Sequence, residues 1–190
     1  MALRSLPAAL LLAFAACATA PRPAAPAAAT DDEAAVYAAV IDHLVPAGGT
    51  ALVIDSTAVP RGPVAGDVGR RASAELASRF AEANRAARPL PRSIPSSRTI
   101  RFTRRADLPF FAPTAAGEEL EARWRLFNER FPGAGGFHEF SAIGFDAARS
   151  SAILYTSHSC GGLCGSGSLV TLRRAAGRWQ VAEAQTLWVS

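Results

Sequence analysis

The chain lacks lysine altogether: all 20 of its Lys+Arg positions are arginine. Its 190 residues include one methionine, two tyrosines, three cysteines and three histidines. There is no internal repeat, and no paired-carboxylate, P-loop or dinucleotide fingerprint, so none of the function classes those motifs announce is indicated. No apolar run is long enough to span a bilayer; the longest near the start is Leu6 to Ala16. Roughly a fifth of the chain is alanine, far above the usual share. Arginine without lysine, together with abundant Ala, Gly and Pro, reads as a GC-rich coding bias and carries no function by itself. What is present is 49% apolar residues, which excludes a chain that is disordered or fibrous throughout. The length fits one domain with appendages.

Residues 1–16 read as a signal peptide. Arg4 supplies an early positive charge and the Leu6–Ala16 run an apolar core. Phe14-Ala15-Ala16-Cys17 resembles a bacterial lipobox, with Phe14 where leucine is usual. The resemblance implies lipidation of Cys17 and anchoring to the cell envelope. Ala18, rather than an aspartate, then implies the outer membrane, facing the periplasm. The alternative is cleavage after Ala18-Thr19-Ala20, just before Pro21, and a secreted or periplasmic soluble protein. Residues 17–30, rich in Pro and Ala, form an extended tether under the first reading and a frayed terminus under the second.

Residues 31–190 read as a single α+β domain, with N-terminal helices packed on a C-terminal four-stranded antiparallel meander. Asp31, Asp32 and Glu33 favour a helix start, and Val36, Val40 and Leu44 continue it at helical spacing. Ala51–Ile54 is a short β-run, followed by a Pro/Gly loop through Gly69. Further helices are expected at Arg70–Ala87 and Ala116–Phe131, with an edge strand at Thr99–Thr103 between them. The meander strands are expected at Phe137–Phe145, Ser151–Ser157, Ser168–Arg174 and Arg178–Val189.

Setting Cys17 aside leaves Cys160 and Cys164, an even number in an exported chain. Gly161, Gly162 and Gly165 let the chain bend back. A Cys160–Cys164 disulfide closing the loop between two strands is therefore predicted. Two sharper alternatives exist. His158 with the two cysteines gives only three metal ligands at a spacing that matches no zinc knuckle, so no metal and no cofactor is expected. A redox or nucleophilic thiol would use His138 or His158 as base, but the spacing is C-x-x-x-C where redox dithiols show C-x-x-C.

The C-terminal part carries Trp124-x-x-Phe127, Phe131-Pro132-Gly133-x-Gly135-Gly136, Cys160-Gly161-Gly162-Leu163-Cys164-Gly165-x-Gly167, Gly177-x-Trp179-x-Val181 and Trp188-Val189-Ser190. This resembles a pattern recurrent among bacterial secreted proteins and lipoproteins of uncharacterised function. The resemblance implies export and no particular activity. A looser similarity, through Gly177-x-Trp179-x-Val181, is to NTF2-like domains, and it speaks to fold alone.

Among other candidates, His138 and His158 form the polar site most worth watching. Asp55-Ser56-Thr57 is a strand-end turn that could bind a polar ligand. Ser166 and Ser168 do not make the G-x-S-x-G elbow. Trp124, Phe127, Trp179 and Trp188 are expected in the core. Eleven of the arginines fall between residues 61 and 105 against three acids, a local charge of +8 in a chain of net +4. Arg70, Arg71, Arg101, Arg104 and Arg105 are the candidate basic surface, facing an anionic envelope component or a protein partner. Nucleic acid is not expected, because no recognition motif is present. The function expected is a non-catalytic binding or assembly module at the bacterial envelope, joined to the membrane by its lipid. The alternative is a small periplasmic hydrolase or thiol-redox protein built on the Cys160–Cys164 loop.

Overall fold

The computed structural model describes residues 31–58, 63–111 and 119–190. The signal peptide, Cys17, the tether and the start of the expected helix at Ala116 lie outside the described residues. The elements are α1 (Asp31–Leu44), β1 (Thr50–Ile54), α2 (Pro63–Arg71), α3 (Ala74–Ala83), β2 (Thr99–Thr103), α4 (Leu120–Arg130), β3 (Phe137–Phe140), β4 (Gly144–Phe145), β5 (Ser151–Gly161), β6 (Cys164–Ala175) and β7 (Arg178–Val189).

The expected four-stranded antiparallel meander is wrong. The strands form one mixed seven-stranded sheet in the order β2-β1-β3-β5-β6-β7, with β4 also paired to β5. β1 runs parallel to both β2 and β3, whereas the β3, β5, β6 and β7 neighbours are antiparallel. The physical reason lies in β1. Ala51, Leu52, Val53 and Ile54 are all buried, so both faces of the strand are covered. An uninterrupted apolar run of this kind belongs in the middle of a sheet, where parallel strands sit. The helices α2 and α3 supply the crossover that a parallel β1–β2 pair requires.

The helices accordingly lie on both faces of the sheet. On one face α1 presents Val36, Tyr37, Val40 and Ile41 to Val53, Phe140, Leu154, Val170 and Leu172. On the other, α4 brings Phe127 onto Leu52, Ile54 and Phe137, while α2 and α3 bring Val68 and Phe80 onto Ile153, Tyr155 and Leu169. The helix expected from Arg70 is two helices. α2 starts seven residues earlier at Pro63, and Ser73 caps α3 by accepting from the Leu76 amide. The expected Phe137–Phe145 strand is likewise split. Between its halves Asn84 reaches from the end of α3, accepting from the Ala142 amide at 2.8 Å and donating to the Ala142 carbonyl at 3.0 Å.

The start of α1 is fixed from two sides. Asp32 accepts from Arg149 Nε at 2.8 Å and from the Trp179 indole at 3.3 Å. The Arg149 bond, outweighing partial burial, holds the Asp32 carboxyl below its usual range. Glu33 takes both Nη atoms of Arg88 at 2.9 and 3.0 Å. β6 and β7 are joined by Ala176-Gly177, both at positive φ, the two-residue turn whose twist suits a hairpin.

Candidate functional site

Two polar features lie at the same end of the sheet, beyond the C-terminus of α1. The first is built on strand register. His138 on β3 stands directly opposite His158 on β5. Two positions earlier on β5, on the same face, is Thr156. Across the hairpin, Thr156 pairs with Ser168 and His158 with Ser166. Where α1 covers this face, the sheet presents Leu154, Val170 and Leu172. Where α1 stops, at Leu44, the same strands switch to hydroxyls and imidazoles. Leu44, His138, Thr156, Ser157, His158, Ser166 and Ser168 line a cavity of about 150 Å³.

The two imidazoles stack, with ring centres 4.3 Å apart and planes 16° from parallel, and Phe140 continues the stack beyond His138. His138 is only 8% exposed, and its Nδ1 has no hydrogen-bond partner among the described residues. Burial pushes its pKa down to about 3, with the neighbouring His158 adding to the effect. Burial also lowers the pKa of His158, opposed by its hydrogen bond to the Gly135 backbone. That close approach depends on Gly136, whose φ is +122°. A Cβ there would sit 2.3 Å from the Ser159 carbonyl oxygen and 2.7 Å from His158 Nε2.

This geometry sorts the chemistry. Ring-nitrogen lone pairs lie in the ring planes, so two near-parallel stacked imidazoles do not converge on one ion. Among the described residues there is no group of three or more metal-ligating side chains. An imidazole held that far below neutrality is a poor general base for work near pH 7. What remains is recognition by neutral groups. Thr156 Oγ1 donates to the Glu139 carbonyl at 3.1 Å and keeps its lone pairs for an acceptor role. Ser166 and Ser168 sit on the wall across from it.

The second feature is the β5–β6 hairpin tip. Cys160 and Cys164 form a disulfide, with Cα atoms 5.1 Å apart. The bridge straddles the two-residue turn Gly162-Leu163, and Leu163 is 91% exposed. With the bond made, neither sulfur is a thiolate nucleophile. An open groove of about 920 Å³ runs between this tip and α4, lined by Leu120, Trp124 and Leu163 with Glu121, Arg125 and Glu129 at its margins.

The candidate basic residues fall into two groups at opposite edges of the sheet. On α2, Arg70 bonds Asp67 at 2.6 Å, and Arg71 bonds Gln185 on β7. At the β2 edge, Arg101 is on the strand itself. Arg104 makes two bonds to Asp107, at 2.7 and 2.8 Å. Arg105 pairs with Glu139 and lies over the Phe111 ring. Four of the five thus have acidic partners: Asp67 on the same helix serves Arg70 and Arg71, Asp107 three residues on serves Arg104, and Glu139 from β3 serves Arg105. Thr57 is used locally, accepting from the Arg88 amide. Phe127 and Trp179 are buried and Trp124 is partly so, while Trp188 is 39% exposed and donates to the Tyr155 hydroxyl.

Sequence reasoning singled out both histidines and the disulfide but missed Thr156 and the role of the serines. Their signal was the hairpin itself: once Gly162-Leu163 is the turn, partners can be counted outward. That count lands one residue out because of the register shift between Ser159 and Gly161. No helix among the described residues is long and apolar enough to cross a membrane. Comparison with protein-family models, curated proteins and solved structures finds no match for this chain.

Proposed function

We propose that this protein is a lipid-anchored envelope component, held through Cys17 at the periplasmic side of the outer membrane, whose domain is a non-catalytic binding module. The observation that carries the binding reading is His138. It is a buried imidazole with an unpartnered nitrogen, and the residue lines a cavity otherwise lined largely by hydroxyls. A buried polar atom without a partner costs stability unless something occupies the space beside it. The signal-like start, the lipobox-like Cys17 and the resemblance of the C-terminal part to exported proteins support the placement.

Thermal unfolding of the detergent-solubilised full-length protein tests the binding reading. A small-molecule fraction of cell envelope should raise the melting temperature of the wild type and leave that of His138→Phe unchanged. Ester or peptide hydrolysis abolished by the same substitution would establish the enzyme reading instead. Cys17→Ser should move the protein from the membrane fraction to the soluble periplasm. Retention in the membrane would refute the anchor.

A further inference from the structure

We infer that the cavity between β3, β5, β6 and the end of α1 is a site for a small uncharged polyol. This rests on the binding reading above and adds the chemical class of the ligand. The class follows from size, charge and hydrogen-bonding pattern taken together.

A cavity of about 150 Å³ holds roughly five water molecules, the bulk of a three- or four-carbon polyol. Among its lining residues there is no carboxylate, lysine or arginine. Asp42, Arg98 and Glu139, on or beside the elements that frame the cavity, are already engaged. At the end of α1, Asp42 accepts from Ser96 and Ser97, and Arg98 donates to the Asp42 and Val45 carbonyls. On β3, Glu139 is taken up by Arg105. An anion in the cavity would need a proton on an imidazole to balance it, and burial opposes that proton. A cation would find no carboxylate in the lining. An ion of either sign would therefore surrender its hydration without compensation.

Hydroxyl groups suit the walls for the complementary reason. Each is both donor and acceptor, as are Ser166 and Ser168, while Thr156, its proton given to Glu139, can accept. The side chains of Ser166 and Ser168 make no hydrogen bond within the described residues, so they are free to pair with a ligand, and the His138 ring forms the floor beside them. Leu44 in the lining offers a carbon skeleton an apolar contact.

The test uses the detergent-solubilised full-length protein and three kinds of probe: glycerol and erythritol, acetate and inorganic phosphate, and ethylammonium. Imidazole nitrogen shifts of His138 and His158 are followed by NMR as each is added. The expected result is saturable binding of a neutral polyol that moves the His138 Nδ1 resonance, weakened at least tenfold by Ser168→Ala and by His138→Phe. Ser168→Ala removes one hydroxyl from a half-buried wall and leaves both imidazole signals as a check that the fold is intact. Saturable binding of an anion or the cation, with no polyol binding, would overturn the ligand class while leaving a binding pocket. No saturable shift with any probe would overturn the ligand class and the pocket reading together.

Discussion

Replacing His138 by phenylalanine should remove a specific part of the protein's acid sensitivity. In the fold this imidazole is 8% exposed and its pKa is pushed down to about 3. In the unfolded chain it returns to about 6.5. Below pH 6.5 the unfolded chain therefore takes up a proton that the folded chain refuses, and unfolding becomes easier as pH falls. The contribution to stability is fully present above about pH 6.5 and declines until the folded pKa is reached. The slope reaches about 1.4 kcal/mol per pH unit well below pH 6.5 and is half that at pH 6.5, so between pH 6.5 and 4.5 the wild type should lose about 2 kcal/mol more than the variant. Phenylalanine keeps a flat ring between Phe140 and His158, so the stack survives while the titration is lost. His158 and the depressed carboxyls of Asp32, Asp42, Asp107 and Asp146 titrate in both proteins and largely cancel in the difference. Denaturant unfolding at pH 7.5, 6.5, 5.5 and 4.5 measures it directly. If the stabilities of the two proteins fall in parallel with pH, His138 titrates as a solvated residue and the argument from burial is wrong.

Other substitutions probe the frame around the site. Phe127→Ala empties a fully buried ring position under α4 and should cost about 3–5 kcal/mol in denaturant unfolding. Asn84→Ala leaves the Ala142 amide and carbonyl without their partner and should cost about 1–3 kcal/mol by the same assay. Gly136→Ala drives a methyl group against the Ser159 carbonyl and His158; it should lower the melting temperature and shift the His158 resonances while leaving those of His43 in place. Cys160→Ser with Cys164→Ser opens a very small loop and should cost about 1–2 kcal/mol, with polyol affinity retained because neither sulfur lines the cavity. A larger loss of binding would tie the bridge to the pocket.

The antiparallel half of the sheet was legible because its signals are local. Ala176-Gly177 marks a turn, and β5, β6 and β7 follow in sequence. The parallel half was not, since the 44 residues from Asp55 to Arg98 separate β1 from β2, and no local turn signal joins them. Ala51–Ile54 held the clue in its unbroken apolar run, which was read as a strand without being given two neighbours. Similarly, His138 and His158 could each be suspected from type and context. Their stacking could not: β3 beside β5 is contained in the expected antiparallel neighbours, but the second strand was expected to end at Ser157, whereas β5 runs on to Gly161 and carries His158 opposite His138. The arginine excess between residues 61 and 105 is visible in the sequence, and so is Asp107 three residues after Arg104, but the partners Glu139 and Gln185 come from strands far along the chain.

α1 has one more consequence, which concerns attachment. Its first turn is clamped beside Arg149 and Trp179, and its last residue borders the cavity. Its 14 residues make a rod about 21 Å long. Whatever precedes Asp31 therefore joins the domain a full rod-length from the pocket. A surface, resin or fused protein coupled directly at Asp31 would load the clamped end of the rod, opposite the end that borders the cavity.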